Sequence, residues 1–185
     1  NGQPATAGQA IDENDRVILG NPNPDLFGSI FTNLKYKQWN LDVFFNYSLG
    51  NDIYNYTRNQ LESMSGYNNQ TLAVLNRWKA DGDVTEIPHA VYGDPMGNAR
   101  FSDRWIEDGS YIRLKNVSLS YELPIKSEII SSCTFFATGD NLLTFTRYKG
   151  LDPEFALGQS PLYNGIDAMF IPAARTLSLG VKLDL

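Results

Sequence analysis

The residues able to perform covalent or acid–base chemistry are few in this sequence and stand far apart. It contains one histidine, His89, and one cysteine, Cys133, which sits among Ser, Thr and Phe at a predicted strand start and is expected to be packed. Neither residue has a second Cys or His with which to form a metal site or a nucleophile–base pair. Asp152 and Glu154 flank Pro153 and therefore read as a loop feature, and no G-x-S-x-G elbow is present. The sequence predicts no enzyme activity and no cofactor.

One group of side chains has oxygen atoms that could bind calcium. Asp12, Asn14 and Asp15 lie in a polar, Gly/Pro/Asn/Asp-rich segment near the start of the chain. Calcium prefers carboxylate and amide oxygens, but neither the spacing nor the glycine of an EF-hand loop follows. A solvated acidic loop is the favoured interpretation, and calcium at Asp12–Asp15 remains the alternative.

Composition limits the class of protein. A chain of 185 residues fits one domain, and its net charge of -6 with a pI of about 4.7 provides no basic surface for nucleic acid. Aromatic residues make up 12% of the chain, and no apolar run reaches 18 residues. The sequence therefore predicts no transmembrane helix, whereas transmembrane strands leave a much weaker signal and stay open.

The elements that position these residues are predicted to be strands. Val117, Leu119 and Tyr121 alternate with polar residues, which is the period of a strand with one apolar and one polar face. Upstream of Lys115 the apolar parity is reversed, which indicates either a bulge near that residue or a strand that leaves its apolar surroundings there. The same analysis predicts five strands, at residues 27–37, 40–53, 111–123, 133–146 and 174–185.

The connections between these strands alternate in length. A short turn near residues 37–38 is followed by a long segment, 54–107, then by a short connection and a second long segment, 147–170. Transmembrane barrels have short periplasmic turns and long extracellular loops, so this alternation favours a barrel. Within the first long loop, Leu72, Leu75 and Trp78 have helical spacing, which predicts a surface helix over 71–79 after a cap at residues 68–69.

In a barrel, the two faces of the strands would meet different surroundings. The apolar face would meet lipid, and the polar face would line the lumen. The residues assigned to lipid are Leu41, Val43, Phe45, Leu177, Leu179 and Val181; those assigned to the lumen are Asn40, Asp42, Asn46, Ser178, Lys182 and Asp184. Tyr36, Trp39 and Tyr121 are candidates for an interfacial aromatic belt, and ordinary strand packing is the alternative.

Aromatic residues in the two long loops are candidates for substrate or partner contacts. Rings of this kind could stack on sugars, although packing within the loops is the alternative for each one. The candidates are Tyr92, Trp105, Tyr148, Phe155 and Tyr163.

Long stretches of the sequence resemble one protein family. The runs RFSDRWIEDGSYIRLKNVSLSYELP, TGDNLLTFTRYKGLDPEF and GIDAMFIPAARTLSLGVKLDL are similar to the end of the SusC/RagA family of TonB-dependent outer-membrane transporters. The run NDRVILGNPNPDLFGSIFTNLKYKQWNLDVFFNYSLGNDIYNY is similar to the segment that precedes it in that family. The resemblance extends over nearly the whole chain, from about residue 12 onward.

The resemblance implies both a fold and a function. The chain would be all-β and would supply about five C-terminal antiparallel strands, with long extracellular loops, to a large plugged barrel in the bacterial outer membrane. The whole transporter would import glycans or other nutrient oligomers together with a SusD-like surface lipoprotein. Its expected partners are the remainder of the barrel and its plug, membrane lipid, and the TonB system through an N-terminal region that lies outside this chain.

A different class of protein remains open from the residues alone. A soluble β-sandwich that binds carbohydrate through the loop aromatics would show similar alternation. It would need a second sheet packed on the apolar face.

Overall fold

The computed structural model describes residues 16–125, 129–154 and 163–184. Its elements follow in chain order. They are β1 (Leu26–Tyr36), β2 (Trp39–Leu49), β3 (Asp52–Asn55), α1 (Tyr56–Glu62), 3-10 helices at Leu72–Asn76 and Asp103–Trp105, β4 (Ile106–Asp108), β5 (Tyr111–Leu123), β6 (Ser132–Thr146), β7 (Ile166–Asp167) and β8 (Thr176–Asp184).

The five long strands form one antiparallel sheet in the order β1-β2-β5-β6-β8. Each strand pairs with the next long strand along the chain, so the sheet is an up-and-down meander. The prediction of about five antiparallel strands is therefore confirmed. In residues 16–125, 129–154 and 163–184, no helix is both long enough and apolar enough to cross a membrane.

A bulge in β5 lies at the predicted place. Leu114 pairs with Phe45 and Asn116 pairs with Phe44, which leaves Lys115 as the additional residue between them. The pairing with β6 shifts at the same point. Because of the bulge, Lys115 and Asn116 both join the polar face, whereas regular alternation would send one of them to the apolar face.

The strand predicted over 40–53 is in fact two elements in two sheets. β2 ends at Leu49, and Gly50 then turns the chain with a φ of 83°, a conformation that favours glycine. The Gly50 amide donates to Ser110 Oγ at 2.9 Å, which holds the turn beside the start of β5. β3 follows and forms the centre of a three-stranded sheet with the order β4-β3-β7.

The helix predicted over 71–79 is also wrong in type and length. Only a five-residue 3-10 helix forms there, after Thr71, and Arg77 is extended. The α-helix lies earlier, at α1, where the Asn55 side chain accepts a 2.8 Å hydrogen bond from the Arg58 amide. This capping bond satisfies a free N–H of the first turn, which the Asn68–Asn69 pair does not do.

The buried apolar side chains lie mostly beneath the loops. Of those in the described residues, all but Cys133 belong to the part around the three-stranded sheet: Ile53, Met64, Val74, Trp105 and Tyr148. Cys133 is 6% exposed and unpaired, in agreement with its predicted packing. Both faces of the five-stranded sheet are thus largely without a covering layer.

Candidate functional site

The apolar face of the five-stranded sheet is continuous across all five strands. Cross-strand pairing aligns Leu34, Leu41 and Leu119 with Ala137 and Leu179 in one row. Leu179 is 87% exposed and Leu34 is 57% exposed. A face of aliphatic side chains this extensive and this exposed is unstable in water, so it requires an apolar covering.

One edge of the apolar face is a row of aromatic side chains. The register places Tyr36 opposite Trp39, Trp39 opposite Tyr121, and Tyr121 opposite Phe135. The rings of Trp39 and Tyr121 have their centroids 4.8 Å apart. This row lies at the sheet end that carries the short connections, and Lys37 Nζ in the β1–β2 turn lies 5.4 Å from the Tyr36 ring centroid.

The opposite face of the sheet is polar and internally hydrogen-bonded. Asn33 Nδ2 donates to Asn40 Oδ1 at 2.7 Å and to Asp42 Oδ1 at 2.6 Å. Farther along, Asn116 donates to Asp140 at 2.7 Å across the β5–β6 pair. Polar side chains therefore gather mostly on this face, as the alternation predicts, although Phe31 and Phe44 share a row with Asn116 on it.

A charged cluster, which we call the wall cluster, joins this polar face to the segment after β6. Arg113 forms an ion pair with Asp152, and its Nη1 lies 2.9 Å from Glu154 Oε2. Lys115 Nζ donates to Glu154 Oε2 at 2.9 Å, and Asn46 Nδ2 donates to Glu154 Oε1 at 2.8 Å. Arg113 is 3% exposed and Asp152 is 7% exposed, so this pair is shielded from water.

A second polar cluster joins the two long loops, at the three-stranded sheet. Tyr148 Oη donates to Asp167 Oδ2 at 2.5 Å, and Thr57 Oγ1 lies 3.3 Å from Asp167 Oδ1. Glu107 accepts the Lys149 amide at 2.9 Å, and its Oε1 lies 2.8 Å from Arg58 Nε. Burial raises the pKa of Tyr148, and the hydrogen bond to Asp167 raises it further, so this phenol keeps its proton.

Two of the predicted contact residues are buried in this part of the molecule. Trp105 is fully buried, its indole N–H donates to the Arg100 carbonyl at 3.2 Å, and the guanidiniums of Arg58 and Arg104 lie over its ring. Tyr148 is 6% exposed. Neither ring presents a face to solvent, because both pack between the loop elements.

The other predicted contact residues are separate from that core. Tyr92 is 70% exposed and lies against Tyr67, which the sequence analysis did not single out, with ring centroids 5.1 Å apart. Tyr163 is 55% exposed. Phe155 and the candidate calcium ligands Asp12–Asp15 lie outside the described residues.

His89 and the remaining carboxylates form no metal site within the described part of the chain. His89 makes an edge contact with Trp78, with ring centroids 5.6 Å apart. The described residues contain no group of three or more His, Cys, Asp or Glu side chains suited to a metal ion.

A cleft of about 1210 Å³ separates residues 16–19 from the first long loop. Its lining includes the exposed rings of Trp78 and Phe101 together with His89 and Arg104. Aromatic rings beside a guanidinium form a surface that can bind a polar oligomer through both stacking and hydrogen bonds. This cleft was not anticipated, because it depends on the folding of a long irregular loop.

The wall cluster is a further feature that the sequence did not predict. Asp152 and Glu154 were interpreted as a loop feature, and their cationic partners Arg113 and Lys115 were seen only as residues of a strand. The signal in the sequence is charge complementarity. Two cations, Arg113 and Lys115, lie on the polar face of β5, and two carboxylates, Asp152 and Glu154, follow the adjacent strand β6.

Comparison with known proteins gives a consistent result. The chain is 34% identical over 181 residues to TonB-dependent receptor P3 of Formosa agariphila, a match that covers 94% of this chain and 18% of the relative. It is 26% identical over 188 residues to TonB-dependent receptor SusC of Bacteroides thetaiotaomicron, covering 94% of this chain and 16% of the relative. No protein-family model matches. The chain thus spans less than a fifth of the length of these curated relatives.

Solved structures show the same similarity. The structure of the RagAB peptide importer in the 'open-open' state matches with a TM-score of 0.73 and 26% identity, over 88% of this chain and 17% of the matched chain. The 'closed-closed' state of the same importer matches with a TM-score of 0.75 and 27% identity, over 90% and 18%.

Proposed function

The chain belongs to the SusC/RagA family of TonB-dependent receptors, and on that premise we propose that it forms one section of the wall of an outer-membrane transporter. One observation carries this proposal: a five-stranded antiparallel sheet with an open apolar face on one side and a hydrogen-bonded polar face on the other. A transmembrane barrel presents lipid and a water-filled or plugged lumen to those two faces.

In this arrangement the row formed by Tyr36, Trp39, Tyr121 and Phe135 lies at the membrane interface. Tyrosine and tryptophan concentrate there because their rings are apolar and their tips are polar. The short connections lie on the same side as the row, so we assign that side to the periplasm, and the long loops to the cell exterior.

The cargo and the partners follow from the relatives by analogy. One relative is a TonB-dependent receptor named SusC, and the solved structures are those of a peptide importer, RagAB. We therefore infer import of an oligomeric nutrient, glycan or peptide, with a SusD-like surface lipoprotein above the long loops. The remainder of the barrel and its plug, and the TonB system acting on another part of the protein, complete the transporter.

The soluble β-sandwich is not supported by any particular contact. A sandwich requires a second sheet packed about 10 Å from the first over the apolar face. In the described residues, the three-stranded sheet does not cover this face, and Leu177 and Leu179 remain 81% and 87% exposed.

Two single-cysteine variants at neighbouring positions test the proposal in the full-length receptor. Leu179→Cys lies on the apolar face and Ser178→Cys on the polar face, each in a Cys133→Ser background and each carrying a nitroxide label in native outer membranes. We expect oxygen, which concentrates in lipid, to relax the label at 179 more strongly, and a water-soluble nickel complex to relax the label at 178 more strongly. Equal access of the nickel complex to both labels would contradict the barrel-wall assignment.

A further inference from the structure

The segment after β6 is fastened along the sheet at several points. This segment, residues 148–154, which we call the strap, is the first part of the second long loop, and its end lies against the polar face. At its start, Tyr148 is bonded to Asp167, and the Lys149 amide donates to Glu107. At its end, Asp152 and Glu154 meet the cations of the wall cluster. The strap therefore has buried attachments both to the loops and to the wall.

Asp152 uses both of its carboxylate oxygens as hydrogen-bond acceptors. Its Oδ1 accepts from Arg113 and from the Glu154 amide, and its Oδ2 accepts the Ala173 amide at 3.2 Å. This single carboxylate thus connects β5, the strap and the segment that leads into β8. A buried carboxylate with this many donors fixes the backbone around it, because releasing it would leave the buried Arg113 with only the partly exposed Glu154 as its anion.

The charges of the wall cluster also balance. Arg113 and Lys115 supply two cations on the polar face, and Asp152 and Glu154 supply two anions from the strap. The bulge in β5 accommodates this arrangement, since it keeps Lys115 on the polar face while Asn116 bonds to Asp140 on the same side. Without the strap, two cations would face the lumen unpaired.

We propose that residues 148–154 form a fixed strap, positioned by Arg113 and Asp152, that stays attached to the inner wall while cargo passes, so that the moving parts of transport lie elsewhere. The inference rests on the proposed function, since it concerns the lumen of a transporter. The strap then narrows the passage by a constant amount.

The test uses the full-length receptor with its native partners in living cells, in a cysteine-free background. Lys115→Cys and Glu154→Cys are combined, which removes both ion pairs of Glu154 but leaves the pair between Arg113 and Asp152 in place. A short bis-maleimide then reports whether the strap lies against the wall. The yield is compared between energised cells fed a casein digest and cells treated with a protonophore. The control pair is Asn33→Cys with Asn40→Cys, on two strands whose pairing cannot open during transport.

A fixed strap predicts that the cross-linking yield changes less than twofold between the two conditions, for both pairs. It also predicts that uptake of fluorescently labelled casein-digest peptides or dextran oligosaccharides continues after cross-linking at more than half its previous rate. A several-fold fall in yield confined to the 115–154 pair in energised cells would overturn the proposal. So would a tenfold loss of uptake on cross-linking that a cleavable linker restores.

A further variant separates positioning from chance proximity. Arg113→Gln should release the strap and raise the rate at which a single Glu154→Cys reacts with a maleimide by tenfold or more, while Lys115→Gln should change it less than threefold. Equal effects of the two substitutions would show that Arg113 does not position the strap. If the receptor takes up neither probe before cross-linking, the proposed function fails, and the strap's role in transport fails with it. If uptake is lost only on cross-linking, the proposal of a fixed strap is refuted and the proposed function stands.

Discussion

Replacing Val117 by arginine tests how deep the apolar face lies in a membrane. Val117 and Tyr121 share this face and lie four positions apart in β5. At a rise of about 3.4 Å per residue and a tilt of about 40°, the valine lies roughly 10 Å deeper than the aromatic row, close to the middle of an apolar band about 25 Å tall. Arginine at such a depth costs about 2–4 kcal/mol, and about 0–1 kcal/mol near the interface.

We therefore expect Val117→Arg to destabilise the folded receptor by about 2–4 kcal/mol and Tyr121→Arg, at the interface, by about 1 kcal/mol from depth alone. Ser118→Arg is the matched control, because it is the next residue of β5 and lies on the polar face. The assay is urea-induced unfolding of the full-length receptor in phospholipid vesicles, followed by heat-modifiable migration on gels. If Ser118→Arg destabilised the receptor as much as Val117→Arg does, the assignment of the two faces would be refuted.

Three further predictions concern the loops and the strap. Asp152→Asn should destabilise its surroundings by about 1.5–3 kcal/mol, because it removes a charged hydrogen-bond acceptor of the buried Arg113, which keeps only Glu154 as its anion. Lys115→Ala, at a half-exposed site, should cost about 0–1 kcal/mol of stability. Hydrogen exchange of the amides of residues 149–152 and 154 measures both effects, and equal protection in the two variants would contradict the burial argument. Trp105→Ala should lower the free energy of unfolding by about 3–5 kcal/mol and increase proteolysis of the first long loop. Unchanged proteolysis would contradict the role of Trp105 as the core of that loop. Tyr148→Phe should weaken the contact with Asp167 by about 1.5–3 kcal/mol. The pKa of Tyr148 is raised on folding, so the stability of the folded protein should fall as the pH rises above about 10, where an unfolded tyrosine ionises. If exchange protection fell as steeply at alkaline pH in Tyr148→Phe, Tyr148 would be excluded as the source of the pH dependence.

The strands of the main sheet could be predicted because local sequence determines them. The alternation from Val117 to Tyr121 reports which side each residue occupies, and the reversed parity around Lys115 reports a bulge that two separate pairings display. The aromatic residues Tyr36, Trp39 and Tyr121 could likewise be grouped, because short connections bring successive strand ends together. Information of this kind needs no knowledge of distant contacts.

The loop structure could not be predicted, because it depends on residues far apart in the sequence. β3 pairs with β4 and with β7, across more than fifty and more than a hundred residues, and no local periodicity signals such a sheet. Leu72 and Leu75 have the spacing of a helix, yet both remain mostly exposed, and only Val74 of that segment is buried. Helical spacing predicts a helix only where the apolar side chains find a surface to pack on.

The distribution of buried residues also explains why this sheet needs surroundings that the described residues do not provide. The apolar core lies under the loops, around Trp105 and Ile53, while strands of nine to fifteen residues extend away from it with an uncovered apolar face. The outer strands β1 and β8 each leave one row of backbone N–H and C=O groups without a strand partner among the described residues. In hydrocarbon such edges must be paired, and in water the exposed leucines must be covered. Lipid on the apolar face and further strands at both edges satisfy the two requirements together, whereas a soluble partner sheet would cover the leucines and leave both edges unpaired.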